Sequence, residues 1–378
     1  MATGISDINK QMKTLLYKVL LIFILSILVF TQCKKDPEPN PKITIPDKSF
    51  LKALIKLGVD TNGDSIISPS EAAKINILNV NDKSISDMTG IEAFVNLDTL
   101  YCPLNQLTNL DVSKNTLLKY LNCGGNQLTS LNVSKNILLT YMECGNNQLS
   151  ALDVSKNTAL KILWCMQNKL TALDVSKNNL LTILYCDENQ LSSLNISKNT
   201  LLIYMDCSYN RLTSLDISKN TALKGLSCYN NQLTSLDVSN NILLTYLECQ
   251  SNQLTGLDVS KNADLVWLTC SSNQLTGLDV SKNTVLEKLW CDYNKLTSLD
   301  VSKNTALGIL SCIENQLTSL DISKNNLIKE LYIREMPSLY KVCVWKMPFP
   351  PSDAYYVFVD MTNSPNVYFT TDCSDGRK

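Results

Sequence analysis

Residues 118–128 read LKYLNCGGNQL, and residues 128–136 continue as LTSLNVSKN. The first stretch has the form L-x-x-L-x-C-x-x-N-x-L and the second has the form L-x-x-L-x-V-x-x-N, so two related motifs are nested in 21 residues. The cysteine recurs eleven times at this spacing, from Cys102 to Cys312, with an asparagine three residues after each copy. A register kept over so many copies predicts a repeat architecture rather than two or three separate globular domains.

Apolar and polar side chains alternate on both halves of the repeat. Leu121, Cys123, Leu131 and Val133 are separated by polar residues, a pattern that predicts extended segments with one buried face. One coil of 21 residues buries too few apolar groups to offset its loss of conformational entropy, so successive coils must stack. The sequence therefore predicts a right-handed parallel solenoid, with a strand on the cysteine side and a shorter extended segment on the valine side.

This repeat resembles the nested 21-residue subclass of bacterial leucine-rich repeat proteins, with cysteine in the third apolar position. The match covers roughly residues 78–345. The resemblance implies an α/β-type repeat solenoid, mostly β, with a small helical N-terminal cap and a C-terminal cap. It also implies a surface lipoprotein that is internalin-like in role. We assign residues 78–330 to the solenoid.

Composition excludes several functional classes. The chain has no histidine, so no imidazole-dependent catalysis and no histidine-ligated zinc site is possible. A formal net charge of -1 argues against nucleic-acid binding. The ladder cysteines have a spacing unlike any zinc motif, and we expect them to act as small apolar core residues. The asparagine three residues later is expected to bond backbone groups in the following turn.

One side of the strands is expected to carry exposed aromatic and acidic residues. Side chains three before, one before and one after each ladder cysteine should point away from the core, because strand alternation places them opposite Leu and Cys. Residues 101–320 contain nine Tyr and three Trp but no Phe, which favours rings that keep a polar edge in water. The candidate ligand-binding residues are Tyr120, Tyr141, Trp164, Tyr185, Asp187, Tyr204, Asp206, Tyr229, Tyr246, Trp267, Trp290 and Asp292.

Four functions are compatible with this face. An extended protein-recognition surface is favoured, because the rings run over many coils. A glycan site would be local, with Trp164 and Tyr185 beside Asp187 and Asp206. An acid–base enzyme using that carboxylate pair is disfavoured, because a single sheet offers no deep pocket. A pure stability ladder or spacer is the remaining alternative. The valine side repeats Ser-Asp-Ser with a nearby lysine, as at residues 214–219, and predicts a solvated frame.

The N-terminal segment predicts export and anchoring. A basic start, a short apolar run from Val19 to Phe30 and Cys33 resemble a bacterial lipoprotein signal over residues 1–33, although Gln32 departs from the small residue expected there. We expect lipidation of Cys33, with an uncleaved anchor or simple secretion as alternatives. Residues 34–45 are predicted to be a tether, and their Lys-Lys-Asp-Pro-Glu stretch resembles tails of outer-membrane surface lipoproteins. The expected location is the bacterial cell envelope.

Residues 46–77 are predicted to form a helical N-terminal cap with a calcium loop. Apolar spacing predicts a helix over residues 47–57. Residues 60–71 resemble an EF-hand or dockerin loop, except that Ser65 replaces the usual glycine. A plain Asn-Gly turn is the alternative reading. No other cofactor is expected. The candidate calcium ligands are Asp60, Asn62, Asp64, Ile66, Ser68 and Glu71.

The repeat pattern decays after residue 325, and residues 331–378 are predicted to be a C-terminal cap. Apolar residues between 339 and 344 predict one last strand before prolines at 348, 350 and 351 interrupt the rhythm. Cys343 and Cys373 are the cysteines left outside the ladder and the signal segment. In an exported protein we expect them to pair as a disulfide.

Overall fold

The structure is a computed structural model that describes residues 42–351 and 357–374. The predicted signal segment with Cys33, and residues 34–41 of the predicted tether, lie outside these residues. Helix α1 spans Lys48–Lys56, helix α2 spans Pro69–Ala72, and a short 3-10 helix spans Ile91–Ala93. None of the described helices combines the length and the apolar character needed to cross a membrane.

Short strands account for the rest of the regular structure. Each strand has three residues, and in the repeats it ends one residue before the ladder cysteine. In the described residues the strands are β1 Ile77–Asn79, β2 Thr99–Tyr101, β3 Tyr120–Asn122, β4 Tyr141–Glu143, β5 Ile162–Trp164, β6 Ile183–Tyr185, β7 Tyr204–Asp206, β8 Gly225–Ser227, β9 Tyr246–Glu248, β10 Trp267–Thr269, β11 Lys288–Trp290, β12 Ile309–Ser311, β13 Ser319–Asp321, β14 Glu330–Tyr332, β15 Lys341–Cys343, β16 Phe358–Asp360 and β17 Tyr368–Thr370.

The strands stack in parallel with the register that the repeat predicts. Strands β1–β12, β14 and β16 form one parallel sheet in chain order. In the repeats each residue pairs with the residue 21 positions later; Leu100 pairs with Leu121, and Leu121 pairs with Met142. This confirms a parallel leucine-rich repeat solenoid. Because the register is constant, every position of the repeat becomes a column of side chains that runs along the solenoid.

The ladder cysteines lie in the core. All eleven are free thiols with no exposed surface, stacked beside the leucine columns. Burial raises the pKa of these thiols, for Cys123 to about 12, because a thiolate would be desolvated there. The prediction that cysteine fills a small apolar position is confirmed.

The asparagine after each ladder cysteine connects neighbouring coils. The side-chain amide of Asn126 donates to the carbonyl oxygens of Cys102, Cys123 and Gly124 at 3.1, 3.0 and 3.3 Å. Its Oδ1 accepts from the backbone N–H of Leu107 at 3.0 Å. The predicted role of this column in the turn after the strand is therefore confirmed.

The helix predicted over residues 47–57 is present as α1 and is joined to the first coil. Asp47 caps it by accepting from the Phe50 N–H at 2.9 Å. The second oxygen of Asp47 accepts from Ser86 N and Oγ, both at 2.8 Å, and from Asp87 N at 3.1 Å. Gly58 follows the helix with φ of +76°, a conformation suited to a C-terminal cap.

The coils continue past residue 330. Strands β14 and β16 extend the main sheet, whereas β13, β15 and β17 form a separate three-stranded parallel sheet. The last strand predicted at residues 339–344 is therefore present as β15, but it belongs to this second sheet and two more strands follow it. Cys343 and Cys373 are joined in a disulfide with their Cα atoms 5.5 Å apart.

Candidate functional site

The outward side of β2–β12, which we name the aromatic face, carries a first ladder of rings over β2–β6. Tyr101 contacts Tyr120 with ring centroids 4.6 Å apart, and Tyr120 is stacked on Tyr141 at 4.0 Å. Trp164 meets Tyr141 edge-on at 5.5 Å and is stacked with Tyr185 at 5.6 Å. The ladder forms because these columns bring rings of successive coils into contact.

A second ladder covers β9–β11. The rings of Tyr246 and Trp267 are 5.3 Å apart, and those of Trp267 and Trp290 are 4.9 Å apart. Lys288, which stands on the same face, places its Nζ 4.2 Å from the centre of the Trp267 ring. The face therefore already holds one ammonium group by a cation–π contact.

The two ladders are separated at β7 and β8. Tyr204 is 44% exposed and has no ring partner among the described contacts. The next residue in its column is Gly225, and a Cβ built there would lie 2.9 Å from Tyr204 Cδ1. The Tyr204 ring therefore lies against the backbone of β8. Tyr229 stands in a neighbouring column and meets Tyr209 edge-on at 5.2 Å.

Carboxylates line this separation between the ladders. Burial, followed by the neighbouring charge of Asp206, raises the pKa of Asp187 to about 7. The pKa of Asp206 is also raised by burial, although Ser208 donates to its Oδ1 from N and Oγ. Glu248 accepts from Ser227 Oγ at 3.1 Å. We name Asp187, Asp206 and Glu248 the acidic gap.

Asp292 does not lie on the exposed surface, so the sequence prediction is wrong for this residue. It is only 8% exposed, and its carboxylate accepts from Ser271 Oγ, Ser311 Oγ and Ile313 N. The small serine side chains on both sides let the carboxylate turn toward the sheet and connect three coils. Burial raises its pKa.

The other predicted binding residues lie on the aromatic face, and their exposure is partial. Tyr120, Tyr141, Trp164, Tyr185 and the other laddered rings are half-buried because each ring covers part of the next. The stacking contacts match the alternative of a stability ladder. The edges that remain exposed are available to a partner.

The sequence analysis assigned the columns of Glu143, Glu248 and Lys288 to the outward side but did not include these residues among the candidate ligand-binding residues. Glu143 accepts from Asn122 Nδ2 at 2.5 Å and from Tyr141 Oη at 3.1 Å. It therefore connects a ring of the first ladder to a neighbouring polar side chain. The signal was present, because Glu143 and Glu248 occupy the column one residue before the ladder cysteine.

A shallow hollow of about 590 Å³ lies beside the first ladder. Asn122, Glu143 and Asn146 line it. Gly124 and Gly125, which follow Cys123, also line it and bring no side chain into it. A Cβ at Gly124 would lie 3.1 Å from Glu143 Oε1, so the glycine also makes room for that carboxylate.

The predicted calcium loop is held by its own side chains. Asp60 accepts from Gly63 N at 2.8 Å and Ser65 N at 2.9 Å, and Ser65 adopts the left-handed φ of +62° that favours glycine at this loop position. Glu71 accepts from Thr61 and from Ser68, with one oxygen for each, and these bonds lower its pKa to about 2. Glu71 thus connects the beginning of the loop to its end.

Comparison with solved structures identifies relatives of this solenoid. A functional domain of InlJ from Listeria monocytogenes, described as including a cysteine ladder, is 35% identical with a TM-score of 0.70, covering 81% of this chain and 77% of that one. A leucine-rich repeat protein of Leptospira interrogans is 26% identical with a TM-score of 0.60, covering 67% of this chain and 68% of that one. An internalin, InlF, from Listeria monocytogenes shares the fold at 23% identity and a TM-score of 0.62, covering 72% of this chain and 91% of that one.

A sequence comparison gives the same relative. A 71-residue segment is 38% identical to internalin J of Listeria monocytogenes; it is 19% of this chain and spans only 8% of that protein's length. No family model matches the sequence. The similarity to the InlJ domain extends over most of both chains, includes the cysteine ladder and follows the same repeat. The chain therefore belongs to the internalin-like leucine-rich repeat proteins.

Proposed function

We propose that this chain is a non-catalytic binding protein of the bacterial cell envelope, and that its aromatic face recognises another protein. The observation that carries the proposal is the pair of ring ladders over β2–β6 and β9–β11, whose edges remain exposed. Tyr and Trp side chains are enriched at the centres of protein interfaces, because they combine a large apolar area with a polar edge. Stacked coils turn such residues into one continuous surface.

Family membership supports the same proposal. Internalin-like repeats form extended surfaces, and an extended surface suits a protein partner better than a small substrate. We further propose that lipidation of Cys33 holds the protein at the membrane, as its signal-like sequence favours. Loss of metabolic palmitate labelling in Cys33→Ala is the expected result; labelling that persists in this variant would exclude Cys33 as the lipidated residue.

A binding screen tests the recognition proposal. The fragment of residues 42–378 is applied to extracellular protein extracts beside a variant in which Trp164, Tyr185, Trp267 and Trp290 are changed to Ala. We expect the variant to lose binding. A matched control changes four exposed leucines outside the aromatic face to Ala and should retain binding; these are Leu117, Leu138, Leu180 and Leu201. A lower melting temperature without any loss of binding would identify the rings as a stability ladder.

Glycan recognition is the second candidate, and the hollow beside the first ladder favours it. Glu143, Asn122 and Asn146 supply hydrogen-bonding groups there, next to the Tyr120–Tyr141 stack. The Trp164–Tyr185 stack beside Asp187 and Asp206 is the other local arrangement of this kind. A glycan array applied to the same fragment tests both. Glycan binding that is lost in Glu143→Gln but retained in Trp164→Ala would assign the glycan site to the hollow.

We also propose that the loop at residues 60–71 binds calcium and braces the N-terminal cap. Two observations support this: Ser65 has a left-handed backbone conformation, and Glu71 accepts hydrogen bonds from residues at both ends of the loop. Millimolar calcium should raise the melting temperature, because a ligand that binds only the folded state stabilises it. Asp64→Ala should abolish that increase. An unchanged melting temperature in the parent protein would leave the loop as a plain turn.

A further inference from the structure

Charge on the aromatic face is segregated by column. We consider the three columns one residue before, one residue after and two residues after each ladder cysteine, between Cys102 and Cys312. These positions contain no Lys or Arg, although the whole chain has 34 basic and 35 acidic residues. The edge of the sheet is therefore an acidic stripe in a nearly neutral protein. Its carboxylates are Glu143, Asp187, Glu188, Asp206, Glu248 and Glu314, and the buried Asp292 stands in the same columns.

Within the part of the chain that the structure describes, no ion pair places a cation on the acidic gap at the centre of this stripe. Ion pairs among the described residues join Lys119 to Asp98 and Arg334 to Asp360, and both lie away from the gap. No described hydrogen-bond donor outside its own residue reaches the Asp187 carboxylate. No described ion pair therefore compensates these partly buried carboxylates, and burial, followed by the charge of Asp206, raises the pKa of Asp187. A positive group placed there would relieve this repulsion.

The gap is bordered by rings on both sides. Tyr185 ends the first ladder, Tyr246 begins the second, and Tyr204 lies exposed between them. Rings of the aromatic face can hold a cation, because the Lys288 Nζ lies 4.2 Å from the centre of the Trp267 ring. A guanidinium or ammonium group between Tyr185 and Tyr246 could make the same contact and pair with the carboxylates.

We propose that the acidic gap binds a basic segment of the partner protein, whose Arg or Lys side chains lie between Tyr185 and Tyr246 and pair with Asp187, Asp206 and Glu248. This inference rests on the proposed function and specifies the partner's chemistry. Tyr185 and Tyr246 stand three strand spacings apart, or ~14 Å, which is the length of about four extended residues. Two or three basic side chains can therefore contact the gap at once.

The charge pattern selects this occupant over others. A negatively charged polymer would be repelled by the stripe. A divalent metal is not favoured, because the gap carboxylates do not form a cluster of three acidic ligands within 4.8 Å in the described residues. Arginine fits best, because its planar fork pairs with carboxylates while its face stacks on a ring.

Two synthetic peptides and three proteins test the proposal. The peptides are a dodecamer of alternating Arg and Ser and the same dodecamer with Glu in place of Arg. The proteins are the full chain, the gap variant Asp187→Asn/Asp206→Asn/Glu248→Gln, and a matched control Asp174→Asn/Asp216→Asn/Asp237→Asn. The control removes the same formal charge from the valine side, where asparagine already occupies the equivalent position at Asn132 and Asn195 and accepts the same serine N–H.

We expect the parent protein and the control to bind the Arg peptide, and the gap variant to bind it at least about tenfold more weakly. The Glu peptide should not bind any of the three. Equal weakening in the gap variant and the control would mean diffuse electrostatic attraction and would overturn the proposal, as would no binding to the parent. Circular dichroism and the melting temperature verify that the gap variant is folded.

The two proposals fail in different ways. If extracellular partners bind through Trp164 and Trp267 but bind the gap variant as well as the parent, the gap proposal fails and the recognition proposal stands. If the Arg peptide binds at the gap but the four-ring variant still captures every extracellular partner, the recognition proposal fails and the gap remains a binding site for basic segments.

Discussion

The ring of Tyr204 lies against the backbone of Gly225, the residue that pairs with it on the neighbouring strand. A Cβ at Gly225 would stand 2.9 Å from Tyr204 Cδ1, closer than van der Waals contact allows. The glycine therefore interrupts the aromatic column and lets one tyrosine ring lie over the sheet. This places an exposed ring beside the acidic gap rather than in a continuous stack.

Gly225→Ala should displace the Tyr204 ring. Because this ring is 44% exposed it can move outward, so we expect the variant to fold with a melting temperature below that of Gly256→Ala. Gly256 is the matched control, because nothing lies within 4 Å of a Cβ built there and alanine should stabilise by about 0.4–1 kcal/mol. Thermal unfolding of both variants measures the difference. Equal melting temperatures would show that Tyr204 does not pack on Gly225.

The eleven ladder thiols should resist alkylation in the folded protein. They have no exposed surface, and burial raises their pKa, so neither access nor thiolate is available. Mass spectrometry after iodoacetamide treatment should show them unmodified in native buffer and modified in denaturant. Simultaneous modification of most of them under native conditions would be incompatible with a buried ladder.

Asn126→Ala should destabilise the solenoid strongly. The substitution removes three donated bonds to carbonyl oxygens and the acceptor for Leu107 N, leaving buried backbone groups unpaired. We expect a loss of about 3 kcal/mol or more in the free energy of unfolding. Gln127→Ala, at the adjacent exposed position, should change it by less than about 0.5 kcal/mol. Urea denaturation distinguishes the two variants, and comparable values for both would refute the role of Asn126.

Asp187→Asn should become increasingly stabilising as the pH rises. The folded state raises the pKa of Asp187 from 3.8 to about 7, so the folded protein binds this proton more tightly than the unfolded chain does. Ionisation therefore lowers the stability of the parent protein between about pH 4 and pH 7. The advantage of the variant should grow over this window and stay constant above it.

Asp174→Asn supplies the comparison for that pH series. Bonds from Ser176 lower the pKa of Asp174, so its contribution to stability is complete above about pH 4 and is lost only in more acidic solution. The difference between Asp174→Asn and the parent should not change from pH 5 to pH 8. If Asp187→Asn behaved in the same way, the carboxylates of the acidic gap would not be in repulsive contact.

Much of the fold follows from local sequence signals. The cysteine spacing gives the register of the main sheet, because one repeat equals one coil. Asp47 and Gly58 mark the ends of α1, since capping is decided within a few residues. The second sheet at the C-terminal end was not predicted, because it depends on pairing Ser319–Asp321 with Lys341–Cys343 after the repeat signal has decayed.

The candidate site was predictable as columns but not as contacts. Alternation assigns Tyr141, Trp164 and Tyr185 to one face, yet it cannot state that Trp164 stacks on Tyr185 while it meets Tyr141 edge-on. Asp292 shows the same limit. Its column predicts exposure. Its burial depends on Ser271 and Ser311 in the two neighbouring coils, whose hydroxyls donate to its carboxylate.

The sequence by itself determined the coil length, the register, the buried cysteine and asparagine columns and the family. These properties are periodic, so every copy of the repeat carries the same sequence signal. Only the tertiary structure decided where the ring ladders break, that Tyr204 lies over Gly225 and that Asp187 and Asp206 are partly buried with raised pKa values. Those features arise between side chains about 21 residues apart, whose rotamers and desolvation are set only when the coils are stacked.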